Sequence, residues 1–168
     1  MNSKIKNRSI FFGFIIVLLV VFAYWYRATY SMDVASNQMV NVREMPERIA
    51  IATQGSTFKN TIVTSIINQY KDDSVYINVL DISDLPTLLV NEYNAIVILH
   101  TWEYGRPPAQ VSEFINVNLA AKEKFIVMAT SGQGSNKIEG IDALSGESIL
   151  ENTGDYADDI IERIEMKF

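Results

Sequence analysis

A chain of 168 residues has room for one domain of ordinary size, and a composition of 48% hydrophobic and 20% charged residues excludes a disordered or collagen-like polymer. The absence of cysteine excludes disulfide frameworks, zinc ribbons, iron–sulfur ligation and thiol catalysis, and a lone histidine, His100, argues against a metal site. The net charge of −6 argues against a nucleic-acid partner, which needs a basic face.

The charge is unevenly distributed. Lys4, Lys6, Arg8 and Arg27 are the only charged residues before Asp33, whereas the remainder carries 10 basic against 20 acidic residues, a balance of −10. Between Arg8 and Arg27 lies an uncharged stretch rich in Ile, Val, Leu and Phe, about 27 Å long as a helix. Tyr24, Trp25 and Tyr26 cluster at its end, where amphipathic rings favour a lipid headgroup region. A cleaved signal peptide is the competing reading, but the bulky Ala23-Tyr24-Trp25-Tyr26-Arg27 ending does not suit a signal peptidase. Residues 1–27 are therefore expected to be a signal anchor with one transmembrane helix (about 9–26) in contact with membrane lipid. The basic flank places the N-terminus in the cytoplasm, giving a single-pass protein of the cell membrane with its domain on the extracytoplasmic side.

Residues 28–47 show no apolar periodicity and read as a linker. From Arg48 onward short apolar runs alternate with amphipathic stretches. Ile49–Thr53 is a buried strand, and Phe58–Tyr70 is a helix whose Ile62, Ile66 and Tyr70 share a face with Val63 and Ile67. Val75–Leu80 alternates as a strand, and Leu85–Val90 leaves room for only a turn or two. Ala95–Leu99 reads as a central strand, Pro107 and Pro108 open a helix carrying Val111, Phe114 and Ile115, and Phe125–Ala129 is another strand. Ile141–Leu144 is a short last strand, and Tyr156–Met166 is a closing helix with Ile160, Ile161 and Ile164 inward. The pattern predicts an α/β fold over residues 48–168, with a parallel sheet covered on both sides.

In such a sheet, ligands sit at the carboxyl ends of the strands, near the switch in strand order. Three loops converge there. Gln54 to Thr61 offers hydroxyl and amide donors at a helix N-terminus, a seat for phosphate or simply a capped helix start; it lacks the Gly-Lys-Ser/Thr ending of a Walker loop. His100 to Pro108 carries Trp102 and Tyr104 on a turn, either covering a flat heterocycle or packing locally. Thr130 to Ser135 is built of small residues that admit close backbone approach. Within the second loop, His100 reads as a packed side chain more than as a catalytic base.

Together these loops resemble the flavodoxin-like family. Gly55, Ser56, Thr57, Asn60 and Thr61 match its phosphate loop, with Phe58 and Lys59 in place of Thr and Gly. Tyr93-Asn94-Ala95-Ile96-Val97-Ile98, then Thr101 and Tyr104-Gly105-Arg106-Pro107-Pro108, resemble its third strand and following loop, with His100 and Trp102 where Gly and Pro are usual. Ala129-Thr130-Ser131-Gly132 is similar to a third flavin loop. The resemblance implies a flavodoxin-like three-layer sandwich with a five-stranded parallel sheet in the order 2-1-3-4-5, and FMN held non-covalently for electron transfer. The implied contacts are Ser56, Thr57, Asn60 and Thr61 on the phosphate, Thr101, Trp102, Tyr104 and Gly105 beside the ring, and Ser131, Gly132 and Gln133 at its edge. No catalytic residue or metal ligand is implied. The alternative is an FMN-free module acting as a binding or assembly subunit of a membrane complex, supported by the Phe58-Lys59 replacement. An FMN-dependent reductase is a third option, and a protein redox or assembly partner is expected in each case. Ile141 to Ser148 also resembles the attachment motif of covalent FMN proteins, but reads here as a last strand and turn. The acidic side chains Asp155, Asp158, Asp159, Glu162 and Glu165 read as a solvated helix face.

Overall fold

A computed structural model describes residues 3–30 and 32–168 of the chain. Residues 1 and 2 of the expected anchor and residue 31 of the expected linker lie outside the described residues. Two compact units are present, the N-terminal stretch and Asp33–Phe168.

The first unit is a helix, α1 (Ser3–Tyr30). Its described side chains run from Ile10 to Trp25 and are exposed. Among the described residues no helix is long and apolar enough to cross a membrane. This corrects the expected transmembrane helix, and with it the expected cell-membrane location.

The second unit is built on a six-stranded, mostly parallel sheet. Its elements in chain order are β1 (Gln38–Val40), β2 (Glu47–Thr53), α2 (Thr57–Tyr70), β3 (Val75–Asp81), β4 (Ala95–Thr101), α3 (Ala109–Val117), β5 (Phe125–Thr130), β6 (Ala143–Gly146) and α4 (Thr153–Glu165). The sheet order is β1-β3-β2-β4-β5-β6. Strand count and order therefore differ from the five-stranded 2-1-3-4-5 expectation. The cause is β1, which lies in the stretch read as a linker and pairs antiparallel with β3, Gln38 opposite Val79 and Val40 opposite Ile77. Asn41 ends this strand at φ 64, and its Nδ2 donates to the carbonyls of Asp73 and Val75 at 3.2 and 2.8 Å. Three residues are too few to show a period of two, so β1 exists through its partner strand and its terminal asparagine.

The helices cover both faces because the central strands are apolar on both. Ile49 and Ile51 of β2 and Val97 and Leu99 of β4 face α2 and α4, joined by Ile62, Ile66, Ile160 and Ile164. The alternate residues Ala50, Ala52, Ile96 and Ile98 face α3, against Val111, Phe114 and Ile115. This alternation is the strand period of two carried through a doubly covered sheet. On the α3 side the β3–β4 crossover has no α-helix, only short 3-10 turns at Ile82–Thr87 and Val90–Glu92. The chain leaves β2 toward β3 on one side and resumes at β4 on the other, so strand order switches between β2 and β4. The crevice beyond their carboxyl ends is where a ligand of this architecture would sit. The second unit is thus an α/β flavodoxin-like fold with an added antiparallel edge strand.

Candidate functional site

Parallel register brings the strand ends to one level: Thr53 of β2 lies opposite Leu99 of β4, and Thr101 of β4 opposite Thr130 of β5. The first helical turn of α2 rises beside them. Ser56 is its N-cap, with Oγ accepting from the Lys59 amide at 3.2 Å, so the helix begins at Thr57. Starting there sets the direction of Lys59. It lies three residues before Ile62 and seven before Ile66, on the buried stripe of α2, and its side chain runs inward under the loops.

Lys59 is 1% exposed, among the largest fully buried side chains of the described residues. Its Nζ donates to Thr101 Oγ1 at 2.7 Å, and Thr101 Oγ1 lies 3.1 Å from Thr130 Oγ1. Burial lowers the Lys59 pKa to about 8 against an opposing pull from the Glu103 carboxylate. Three nearby backbone donors, the amides of Gln54, Gly55 and Thr101, are bonded within the fold. Gln54 N–H donates to the Leu99 carbonyl at 3.2 Å, and Gln54 Oε1 accepts from the Thr101 amide at 2.6 Å. Gly55 pairs in both directions with Asp33, its N–H donating to the Asp33 carbonyl at 2.7 Å and its carbonyl accepting the Asp33 amide at 3.1 Å. The approach is close enough that a Cβ on Gly55 would lie 2.8 Å from that carbonyl oxygen. Residues 33–35 thus form a strap over the loop, pinned at its far end by Ala35 N–H on Asp81 Oδ2 at 2.8 Å.

The residues expected to hold FMN are therefore dispersed. Ser56, Thr57 and Asn60 line a cleft of about 350 Å³ beside α2, with Asp33, Ser36 and Gln38 opposite. Thr61 is exposed on the outer face of α2, with Oγ1 donating to the Thr57 carbonyl at 2.9 Å. Thr101 is half-buried and bonded into the lysine cluster. Trp102 is half-buried, its ring 6.2 Å from that of His100, while its N–H donates to the Thr130 carbonyl at 2.7 Å. Tyr104 and Gly105 form the exposed tip of the loop. Ser131 Oγ is buried with no hydrogen-bond partner among the described residues, and Gly132 and Gln133 are exposed.

A flavin phosphate needs converging N–H and hydroxyl donors around an open seat. Here Ser56 Oγ is taken by the Lys59 amide, Gly55 N–H is taken by Asp33, Thr61 is turned outward, and the buried side chain of Lys59 reaches Thr101 at the carboxyl end of β4. The residues present do not fit the phosphate of FMN in that seat.

His100 lies on the opposite face of β4 from Thr101. It is fully buried, with Nδ1 3.4 Å from the Thr101 carbonyl and Nε2 without a partner among the described residues. Burial, aided by the nearby Lys59 charge, lowers its pKa to about 4 against the raising effect of the backbone hydrogen bond. The ring is therefore neutral near pH 7, and its packing agrees with a strand-end core residue.

Lys59, Gln54, Thr130 and Asp33 were not among the expected contacts, although the first three lie in the loops expected to converge there. For Lys59 the signal was available, since it extends the Ile62–Ile66 stripe by one turn.

No family model matches the chain, and no curated protein matches it. Among solved structures the chain is similar to oxidised flavodoxin 2 from Bacillus cereus, with 12% identity, a TM-score of 0.44, and coverage of 72% of this chain and 99% of that one. A likeness this distant carries no weight for ligand or activity. The fold assignment rests on the sheet order and the two covered faces.

Proposed function

We propose that the chain is a flavodoxin-like module that carries no FMN and acts by binding a protein partner, as a docking or assembly subunit. The observation supporting this is the Lys59 ammonium, buried at the switch point and hydrogen-bonded to Thr101 at 2.7 Å, where a flavin-bearing relative would need open space. A buried cation on the chain's own tether outcompetes a dissociable group for that space, because it is present at fixed position and needs no association entropy. The fold then supplies a rigid platform whose loops at the carboxyl edge present side chains outward. Electron carriage and flavin-dependent reduction both need the ring, so this reading excludes them together. The test is a visible spectrum of the full chain after incubation with excess FMN and gel filtration. A colourless folded protein is expected, and about one flavin per chain would overturn the reading.

A further inference from the structure

The loop after β4 ends in a tight turn, Glu103-Tyr104-Gly105-Arg106. Glu103 and Arg106 exchange both backbone hydrogen bonds at 3.0 Å, and the two central residues have positive φ, 49 for Tyr104 and 76 for Gly105. This is the signature of a primed two-residue turn, whose first central position favours Asn, Asp or Gly. A bulky aromatic in the left-handed region is an uncommon choice that local sterics disfavour. The Tyr104 side chain is 86% exposed and belongs to neither core cluster.

The mount beneath the ring is nonetheless stiff. On one side, Trp102 N–H anchors the loop to the Thr130 carbonyl of β5 at 2.7 Å. On the other, Pro107 and Pro108 fix the exit into α3, Pro108 being its N-cap residue. An exposed tyrosine on a fixed turn loses little conformational freedom on being buried by a second molecule, and tyrosine is enriched among residues that dominate interface energies. Arg106, two residues on, is exposed as well and adds a cation to the tip of a unit that otherwise carries a large acidic excess.

We propose that the Tyr104–Arg106 turn is the anchor of a protein-docking surface, inserting the Tyr104 ring into a partner pocket with apolar walls and a carboxylate at its rim to receive Arg106. The proposal deepens the docking function given above and rests on it. Its commitment to a protein comes from the shape of the feature: a ring projecting into solvent fills a pocket on another molecule, whereas a small ligand would need walls that this turn lacks.

The experiment places a photoreactive benzophenone side chain at position 104 of the full chain in its native cell, with the same group at Val117 as control. Val117 is 83% exposed at the end of α3. The protein crosslinked from position 104 alone is identified, purified and titrated by calorimetry against the unmodified chain and three variants. Tyr104→Asn keeps a residue suited to positive φ, so its urea midpoint should equal or exceed that of the parent. Tyr104→Asn and Arg106→Ala are each expected to weaken binding at least tenfold, with Val117→Ser within twofold. Failure to crosslink any protein from position 104, an adduct only with a second copy of the chain, or an affinity indifferent to Tyr104→Asn would overturn the proposal. A colourless chain giving any of those results would leave the FMN-free reading standing. A flavin adduct at position 104 would overturn both.

Discussion

Replacing Lys59 by methionine keeps the unbranched stem in its channel and removes the ammonium. In the folded chain the Lys59 pKa falls from 10.5 to about 8, with burial as the first cause. At ~1.4 kcal/mol per unit, holding this charge indoors costs on the order of 3 kcal/mol of stability at pH 7. The side chain is 1% exposed, so solvent screening offers little relief. Methionine forfeits the hydrogen bond to Thr101, worth about 1 kcal/mol, and Thr101 Oγ1 keeps Thr130 as a neighbour. The net expectation is that Lys59→Met is more stable than the parent by about 2 kcal/mol at pH 7. The difference must change with pH in a defined direction. Above pH 8 the folded chain sheds a proton that the unfolded chain keeps until 10.5, so the unfolded state binds more protons and parental stability rises with pH. By pH 9.5 the parent should have recovered about 2 kcal/mol, bringing the two proteins together. Tyr70, whose pKa is raised to about 12, mainly by burial, destabilises the fold only above pH 10, and it is common to both proteins. Urea unfolding followed by circular dichroism at half-unit steps from pH 7 to 9.5 reads the crossing. Two parallel stability curves would refute the burial of a charged Lys59.

His100 makes an acid-side counterpart. Its folded pKa of about 4 lies below the usual 6.5, so its contribution is complete above pH 6.5 and is lost as pH falls toward 4, by on the order of 3 kcal/mol. His100→Phe should flatten that part of the urea-midpoint profile, and an unchanged profile would place the ring in water. Gly55→Ala should drive Asp33 off the loop, because the new Cβ meets the Asp33 backbone at 2.8 Å. Losing the paired hydrogen bonds should lower stability by about 2 kcal/mol in thermal unfolding and open residues 33–36 to limited proteolysis. Intact protection would mean that the strap does not depend on this contact.

The sequence-based reading was most accurate where burial and period coincide. Ile49–Thr53, Ala95–Leu99 and Phe125–Ala129 were expected as strands and form the interior of β2, β4 and β5, since a run apolar on both faces has few alternatives once helices flank it. The helix expected over Phe58–Tyr70 begins one residue earlier, at Thr57, because Ser56 supplies the cap. Elements defined by tertiary hydrogen bonds were read less well. The last strand lies at Ala143–Gly146, two residues beyond its expected span of Ile141–Leu144, and includes Ser145 and Gly146, which have no strand preference of their own. In the site, matching residue types did not give matching directions. Thr61 fits a phosphate-loop pattern by identity, but an early helix start places it outside, and the same start carries Lys59 inward. Lys59, which stands where the resembled loop has glycine, is thus buried and bonded to Thr101.

The central claim is that a protonated lysine fills the switch point, and nitrogen-detected NMR of the Lys59 side chain in the full chain addresses it directly. The account predicts a slowly exchanging ammonium that titrates near pH 8 and is unmoved by millimolar FMN. A rapidly exchanging amine titrating near 10.5, or a resonance that shifts saturably as FMN is added, would contradict it.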